Sequence, residues 1–368
     1  MIIGIDASNI RSEGGIIHLT ELVNSISLDT SKINKIIIWG DFKNLNKIKN
    51  DKKIHKSYIN NYSQNLLFRI FWQFFLLPRI LKKKRCSILF VLGGIFFNKK
   101  IKTVTIFQNI LPFISNDVKK YSVFKRYKMF LQKILYLKSF KNSDGIIFLS
   151  KFSKKILSKE LNLTNIKHEI IPHGISNKFT FRKRKIDKKK IINLLYVSTI
   201  DIYKHQDIII SVIGNLKKNL KLKLNLVGPY SKKYKELLDK LIFKLELKKN
   251  VRFYGRIKNI HLNKIYNKND IKIHFSKAET FGMTMLEAMK CGLPVISIKS
   301  EISKEILGEA GIFCKNSENS VEKAIYKVLN NKKYLDRKIF HGREISRLHN
   351  WKTTSRKTIL FLEQINSL

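Results

Sequence analysis

The 368-residue chain is too long for one hydrophobic core of ordinary size and suits two domains. Hydrophobic residues make up 44% of it and aromatic residues 11%, which supplies packed cores and excludes global disorder. The formal net charge is +46, but the basic residues are mostly lysine and spread along the whole chain. We interpret this charge as a solvated basic surface or as attraction to anionic lipid, and we expect no nucleic-acid partner.

The amino terminus begins with MIIGIDASNI, in which Asp6 and Asn9 interrupt the apolar run early. We therefore expect no signal peptide. The chain has three widely separated cysteines without metal-ligand spacing, which favours a reduced, cytoplasmic setting without a bound metal. The most apolar region, 66–97, is broken by polar and basic residues before it reaches the roughly 20 residues of a spanning helix. We expect no transmembrane segment.

Short apolar runs alternate with longer amphipathic segments, which is typical of βαβ units around a parallel sheet. In the first half we predict strands at 2–5, 35–39, 87–91, 103–107 and 145–149, and helices at 15–27, 66–81, 121–139 and 151–161. The dense charge run at 177–190, NKFTFRKRKIDKKK, predicts an exposed linker.

The same alternation then starts again. Strands are predicted at 193–197, 223–227, 251–254, 271–275 and 295–298, and helices at 206–217, 234–245, 260–267, 281–290, 320–329 and 351–367. The fold class is therefore α/β, with two doubly wound parallel-sheet domains facing each other across a cleft. We place the first domain at 1–180 and the second at 181–350, and expect the helix of 351–368 to pack back toward the first domain.

Ligands of such sheets bind beyond the carboxyl ends of strands, where loops lead into helices. In SKAETFGMTMLEAMKCGLPVISI, 276–298, such a loop carries Glu279 toward a helix with Gly282 at its start. Unpaired N–H groups at a helix start suit a phosphate or a sugar hydroxyl. Glu287 lies eight residues after Glu279, so a diphosphate-linked ligand would meet one carboxylate at each end. From the residues alone, a surface charge and a solvated helix position are an equal alternative.

The pattern E-x-F-G-x-x-x-x-E followed by A-M-x-C-G-x-P-V resembles the signature of the family 4, or group 1, glycosyltransferases, which have the two-Rossmann GT-B fold. The resemblance implies retaining transfer of a sugar from a nucleoside diphosphate. It implies that Glu279 holds the hydroxyls of the donor sugar and that Glu287 binds the ribose. The backbone amides that would face the sugar and phosphates are those of Phe281, Gly282 and Met283.

The segment LLYVSTIDIYKHQDIIISVI, 194–213, resembles the phosphate-binding loop of that family. Lys204 would stabilise the pyrophosphate as it departs. Ser198 and Thr199 occupy the region of the family's usual Arg, and His205 stands where Gly is common. In so lysine-rich a chain a loop lysine carries little weight alone, so Lys204 is a candidate through the resemblance and needs a second cation from elsewhere.

Two further strand ends resemble nucleotide contacts of the family. Gly228 ends the strand in LNLVGPY, and VRFYGRI carries Tyr254 and Arg256, candidates for a wall of the base pocket and for a phosphate cation. A strand that ends in glycine is, however, more often only a turn.

In the first half, Gly14 and Gly15 follow the first strand and open a helix. Without the resemblance they predict a flexible loop with a modest tendency to bind anions. In the family this loop faces the diphosphate, so both glycines are donor-binding candidates, and Arg11 is a weaker one.

FQNILPF, 107–113, has Gln108 where many family members have a histidine. A titrating base is therefore not expected at this point, but Gln108 and Asn109 are predicted to hydrogen-bond the donor or acceptor sugar. His173 in IIPHGI is a further candidate for a sugar contact, although a structural role is more common for such a histidine.

Two basic, aromatic segments, 68–85 and 121–141, allow two interpretations. Each is a helix in the interface of an anionic membrane or a helix buried in the first domain. Similar segments of surface-polysaccharide glycosyltransferases hold an aromatic–Gln pair like Trp72–Gln73 near the cleft, so we favour burial.

The resemblance implies transfer of a hexosyl or deoxyhexosyl group to a lipid-linked saccharide in O-antigen or capsule assembly, at the inner face of the cell membrane. No cofactor is expected beyond the nucleoside-diphosphate sugar itself. The alternatives are a GT-B sugar-nucleotide epimerase and a non-catalytic basic scaffold on a membrane.

Overall fold

Most strands of this protein are short runs of Ile, Leu, Val and Phe that are buried on both faces, as expected for parallel strands covered by helices on each side. The computed structural model describes residues 1–10, 12–28, 32–59, 68, 71–93, 95–97, 100–114 and 118–368. The chain forms two units, one of Met1–Gly174 with Asn350–Leu368 and the other of Ile175–His349. We call them the N-terminal and the C-terminal unit.

The N-terminal unit contains the strands β1 (Ile2–Asp6), β2 (Lys35–Gly40), β3 (Ile54–Tyr58), β4 (Ile88–Val91), β5 (Lys102–Phe107), β6 (Gly145–Phe148) and β7 (Lys167–Ile170). In its described part they form one parallel sheet in the order β3-β2-β1-β4-β5-β6-β7. The order reverses between β1 and β4. Their carboxyl ends therefore mark the topological switch point where such sheets bind ligands.

The helices of this unit are α1 (Glu13–Asn24), α2 (Phe42–Leu45), α3 (Leu77–Lys83), α4 (Val123–Lys141) and α5 (Lys151–Ser158). A π-helical turn, Trp72–Leu76, precedes α3. The predicted helix at 66–81 is thus a π turn and an α-helix, and its residues 66, 67, 69 and 70 lie outside the described residues.

The C-terminal unit contains the strands β8 (Ile192–Val197), β9 (Leu222–Val227), β10 (Val251–Gly255), β11 (Ile271–His274), β12 (Val295–Ile298) and β13 (Gly311–Cys314). All of them are parallel and follow the order β10-β9-β8-β11-β12-β13. The reversal here lies between β8 and β11, so the loops after these two strands occupy the switch point.

Its helices are α6 (Gln206–Leu216), α7 (Lys232–Lys244), α8 (Asn259–Asn267), α9 (Met283–Lys290), α10 (Glu301–Leu307), α11 (Glu318–Asn330) and α12 (Lys332–Leu348). A continuous apolar core joins the sheet to α6, α7, α11 and α12. The unit therefore carries its loops on a packed core of its own.

The last helix, α13 (Trp351–Ser367), belongs to the N-terminal unit and packs on its sheet. Phe361 and Ile365 lie over Gly145 of β6 so closely that a Cβ there would come within 3.0 Å of the Phe361 ring. The Ser355 hydroxyl donates a hydrogen bond to the carbonyl of Ser25 at 2.9 Å. Glycine at 145 therefore lets the helix lie against the strand.

The segment predicted as an exposed linker at 177–190 is anchored at two points. Phe179 and Arg184 are buried, and the Arg184 guanidinium donates to the carbonyl oxygens of Tyr266, Asn269 and Cys291 at 2.8 to 3.3 Å. The prediction of full exposure is wrong at these two residues, because the guanidinium satisfies carbonyls at the ends of α8 and α9.

Several elements escaped prediction: β3, β7, β13, α2, α10 and α12. β3 and β7 read IHKSY and KHEI and lie at the edges of their sheet, where most of their side chains are exposed or half-buried. Such edge strands lack the continuous apolar run that predicts a parallel strand.

Candidate functional site

The switch point of the C-terminal unit brings two predicted site residues together. Lys204 closes a 3-10 turn after β8, and Glu279 lies in the loop after β11. The Lys204 ammonium forms an ion pair with the Glu279 carboxylate and donates to the Ser276 hydroxyl at 3.1 Å. A cation and a carboxylate therefore meet at the edge of the sheet where ligands of such folds bind.

The pair stays ionised although it is largely buried. The side chains of Lys204 and Glu279 are 7% and 21% exposed. Burial alone would raise the pKa of Glu279 and lower that of Lys204, but their mutual attraction outweighs it, so the pKa of Glu279 is lowered and that of Lys204 is raised. The surface-charge alternative is thus wrong for Glu279.

Tyr196 of β8 ties the two loops together. Its buried hydroxyl donates to the carbonyl of Lys204 and accepts from the amide of Phe275 at 3.0 Å. One phenol therefore fixes the backbone on both sides of the ion pair.

Two polar residues that sequence reasoning missed lie on β11. Lys272 and His274 alternate along the strand and so share one face. Burial lowers the pKa of Lys272 to about 7 and that of His274 to about 3. The His274 Nε2 lies 3.9 Å from Glu279 Oε1, and neither ring nitrogen has a hydrogen-bond partner among the described residues. The signal was present in the sequence, where IKIHF places two polar residues in a buried strand.

Helix α9 begins where predicted, at a glycine that no other residue can replace without strain. Gly282 has φ +91°, and a Cβ there would lie 2.3 Å from Met285 Cε. Phe281 before it is buried against His349, and Met283, half-buried, is the first helical residue. Gly292, with φ +76°, follows the Cys291 cap and ends the helix in the left-handed conformation that favours glycine.

Glu287 lies on the buried side of α9. It is 4% exposed, and the Tyr266 hydroxyl donates to its Oε2 at 2.7 Å. Burial raises its pKa to about 7, against the opposing effect of the Tyr266 hydrogen bond. The alternative of a solvated helix position is therefore wrong, and Tyr266 is a partner that sequence reasoning missed.

The other candidates of this unit lie at strand ends. Gly228 has φ +141°, and a Cβ there would lie 2.0 Å from the Ser198 carbonyl oxygen, so the turn itself requires glycine. Tyr254 is half-buried beneath the Arg252 guanidinium, 4.8 Å from its ring centre, and Arg256 is exposed.

His205 has φ +54° and ψ +42°, in the left-handed region. Glycine reaches this conformation without strain, whereas a side chain raises its energy by roughly 1–2 kcal/mol. Glycine is common at this position in the family that the sequence resembles, and the left-handed conformation of His205 is consistent with that preference.

In the N-terminal unit, Gly14 and Gly15 lie in the first turn of α1. The Ser12 hydroxyl caps the helix by accepting from the Gly15 amide at 3.1 Å. A Cβ on Gly14 would meet no atom within 4 Å, whereas one on Gly15 would lie 3.0 Å from Ile10. The flexible-loop interpretation is therefore wrong for both, and Arg11 lies outside the described residues.

Gln108 follows β5 and belongs to a cluster of rings. Its amide Nε2 hydrogen-bonds the Nδ1 of His18, a buried residue of α1 that sequence reasoning missed. The His18 ring lies 4.5 Å from that of His173 and stacks on Trp351 at 5.8 Å. Asn109 hydrogen-bonds the Tyr136 hydroxyl of α4. No local sequence pattern signals the His18–Gln108 contact, because the two residues are 90 positions apart.

Trp72 and Gln73 are buried, and the Gln73 amide donates to the buried Asp6 carboxylate at 3.4 Å. The favoured burial is thus correct for this pair. For the second basic, aromatic segment the prediction of burial is wrong over most of α4, in which only three residues are buried. Its exposed apolar side chains are Val123, Phe124, Tyr127, Phe130, Leu131, Ile134 and Leu135.

Within the described ranges, no helix is long and apolar enough to cross a membrane. The same residues hold no group of three or more His, Cys, Asp or Glu side chains placed to bind a metal ion.

Residues 176–344 match the family model described as glycosyl transferases group 1. An uncharacterised 41.2 kDa protein in the cps region of Klebsiella pneumoniae is 26% identical over 219 residues, which cover 58% of this chain and 56% of that protein. The chain thus spans little more than half the length of the curated relatives it matches first.

Two solved structures resemble the whole chain. HepE of Anabaena, in complex with UDP and glucose, has a TM-score of 0.74 at 15% identity. The match covers 99% of this chain and 100% of HepE. WaaG, a glycosyltransferase involved in lipopolysaccharide biosynthesis, has a TM-score of 0.73 at 14% identity over 98% of this chain and 99% of its own. Together with the two parallel sheets, they confirm the predicted GT-B fold.

Proposed function

Because residues 176–344 belong to the group 1 glycosyltransferases, we propose that this protein transfers a hexosyl or deoxyhexosyl group from a nucleoside-diphosphate sugar to a lipid-linked saccharide, with retention. The acceptor would be a precursor of capsule or O-antigen, in keeping with the relative from a cps region. The observation that carries the proposal is the ionised Lys204–Glu279 pair at the switch point of the C-terminal unit.

The chemistry follows from this pair. Transfer breaks the bond between the anomeric carbon and the pyrophosphate oxygen, and negative charge grows on that oxygen. Lys204 would stabilise this charge, since a preorganised cation in a mostly buried site acts without reorganisation. Glu279 would accept hydrogen bonds from the hydroxyls of the donor sugar.

Helix α9 would supply the remaining donor contacts. The amides at its start, near Gly282, suit phosphate or sugar oxygens, because they have no partner within the helix. Glu287 within the same helix would accept from the ribose. Burial raises its pKa to about 7, and a second hydroxyl donor beside that of Tyr266 would stabilise its ionised form.

A thermal-shift screen against UDP-, GDP-, ADP- and dTDP-sugars tests the proposal. A donor that binds the folded state raises its melting temperature by mass action, by an amount that corresponds to about 2.7 kcal/mol at 100 times the Kd. One nucleotide should stand out. A flat response to all four would overturn the proposal, and so would a radiolabelled donor that is converted to its epimer instead of being transferred.

We also propose that α4 brings the enzyme to its acceptor by binding an anionic membrane surface. Phe124 is 80% exposed, and Tyr127 and Phe130 are 59% and 57% exposed on the same helix. Arg126 and Lys128 are exposed between them. Aromatic side chains beside basic ones fit the interface of a bilayer that carries anionic lipid.

Flotation with liposomes of phosphatidylethanolamine and phosphatidylglycerol at low and high salt tests this surface. The wild type should float at low salt and less at high salt, and the triple variant F124S/Y127S/F130S should stay at the bottom. The control F340S removes an aromatic ring of the C-terminal unit that is 60% exposed and should float like the wild type. Equal flotation of all three would rule out α4 as the membrane contact.

A further inference from the structure

A buried histidine lies behind a predicted sugar contact of the N-terminal unit. His18 of α1 is 2% exposed, and its Nδ1 contacts the Nε2 of Gln108 within hydrogen-bond distance. Gln108 follows β5 at the position where the family resemblance leads one to expect a histidine. The imidazole is therefore next to the expected position, on another element.

The surrounding rings hold His18 in place. His173 and Trp351 are buried, and their rings lie 4.5 Å and 5.8 Å from that of His18. The interplanar angle to Trp351 is 24°, a stacked arrangement. The imidazole cannot turn away from Gln108 without disturbing both contacts, so its Nδ1 has a fixed direction.

The proton of the imidazole has a defined position as well. Burial lowers the pKa of His18 to about 3, so the ring is neutral at physiological pH. A neutral imidazole has one donor and one acceptor nitrogen. Because Nδ1 faces an amide N–H group of Gln108, Nδ1 is the acceptor and Nε2 carries the proton.

This contact sets the orientation of the Gln108 amide. With Nε2 held by His18, the carbonyl oxygen Oε1 points to the other side, beside Gly15 and Gly93. A Cβ on these glycines would lie 3.8 Å and 3.5 Å from Oε1. The two glycines thus keep side chains away from this oxygen.

We propose that His18 is a positioning residue, which holds the Gln108 amide so that Oε1 presents an acceptor to a sugar hydroxyl. The proposal rests on the proposed glycosyltransferase function. In this account the imidazole takes no proton from the acceptor, and its part is to choose which end of the amide meets the sugar.

A double-mutant cycle tests the coupling, with hydrolysis of UDP-glucose to UDP and glucose, in which water takes the glucosyl group, as the probe reaction. Q108A and H18L should each lower kcat/KM about 10-fold, the effect expected for one neutral hydrogen bond. H18N should recover most of the loss, since its amide oxygen can accept from Gln108. Q108A/H18L should be no worse than Q108A alone, whereas additive losses would overturn the proposal.

The variant H168N is a matched control. It changes a histidine of β7 whose Nδ1 lies 2.9 Å from the carbonyl oxygen of Ile166. It should behave like the wild type. A loss of equal size in H168N would show that the effect of H18L is a general loss of stability.

The nitrogen chemical shifts of His18 give a readout that needs no substrate. In full-length protein labelled with ¹⁵N-histidine, H18N identifies the resonance by its absence. Nδ1 should appear unprotonated from pH 5.5 to 8 and should shift in Q108A. A His18 that titrates near pH 6.5, or that carries its proton on Nδ1, would overturn the proposal. If the wild type turns over no nucleotide sugar, the proposed function fails, while the spectra still decide the His18–Gln108 pairing.

Discussion

The two units place different chemistry near the switch points of similar sheets. In the C-terminal unit the loops after β8 and β11 hold an ionised pair, Lys204 and Glu279. In the N-terminal unit Gln108, in the loop after β5, contacts the neutral His18 of α1. Under the proposed function, the charged pair would stabilise the pyrophosphate and the neutral pair would hydrogen-bond a sugar hydroxyl.

The largest expected effect comes from removing the cation of the charged pair. K204M should lower kcat/KM roughly 100- to 1000-fold, because the leaving pyrophosphate loses a preorganised charge. Steady-state release of the nucleoside diphosphate measures it. K240M removes an exposed lysine of α7 and should leave the rate unchanged. If K204M lowered kcat/KM no more than Q108A does, the proposed difference between a charged site in one unit and a neutral site in the other would be contradicted.

The anchor of the C-terminal unit should matter for stability. R184A should lower the free energy of unfolding of that unit by about 3 kcal/mol, because it leaves several buried carbonyls without their donor. The exposed Arg182 side chain donates to the carbonyl oxygen of Asn267 at 2.7 Å. The variant R182A should lower the free energy of unfolding by less than about 1 kcal/mol.

All three tryptophans, Trp39, Trp72 and Trp351, lie in the N-terminal unit, so their fluorescence does not report this change. Hydrogen exchange of peptides from α8 and α9 measures it instead. Equal protection in R184A and R182A would show that the guanidinium bonds contribute little.

The raised pKa of Glu287 predicts that the stability of the fold falls as pH rises, which is opposite to the effect of most carboxylates. Its pKa is raised from 4.5 to about 7, so the folded state keeps a proton that the unfolded state releases between these values. Stability therefore falls as pH rises from about 4.5 to 7 and stays low above that range. Lys272, with its pKa lowered to about 7, adds its own dependence only above pH 7.

E287Q should remove this fall of stability with pH and stabilise the protein at pH 7.5 by up to about 3 kcal/mol. It should also weaken the binding of the nucleotide-sugar donor. Melting temperatures of wild type and variant between pH 5 and 7.5 measure it. The exposed Glu236 of α7 gives the control E236Q, which should keep the wild-type slope. Parallel curves for E287Q and wild type would contradict the assignment.

The smallest effect is expected for the phenol that links the two loops. Y196F should lower kcat/KM about 10-fold, because it frees the backbone on both sides of the Lys204–Glu279 pair. Y234F also removes a buried hydroxyl, which donates to Asp207 at 2.8 Å away from the pair. A larger loss in Y234F than in Y196F would refute the linking role.

The sequence predicted the position of α9 and of the loop before it, because the signals for both are local. Gly282 and Gly292 bound α9 through their backbone conformation, and a strand, loop and helix in series place Glu279 at a strand end. The family resemblance assigned Lys204 and Glu279 to parts of one ligand, but the ion pair between them was not predicted, since it joins loops 75 positions apart.

Other features depend on packing that no local pattern shows. The burial of Glu287 against Tyr266, the contact of His18 with Gln108 and the anchoring of Arg184 all pair residues from separate elements. The exposure of α4 was misjudged for the same reason, because its 19 residues carry aromatic side chains all round and no sequence rule decides which face is covered.

The central claim is that the C-terminal unit binds the nucleoside diphosphate through Lys204 and that the N-terminal unit recognises the sugar through Gln108. Calorimetric titration of wild type, K204M and Q108A with UDP-glucose and with UDP alone tests it most directly, using the corresponding pair if the screen selects another nucleotide. We predict that K204M weakens both ligands, whereas Q108A weakens only the nucleotide sugar. Equal weakening of the bare nucleotide by both variants, or unchanged binding in K204M, would contradict the claim.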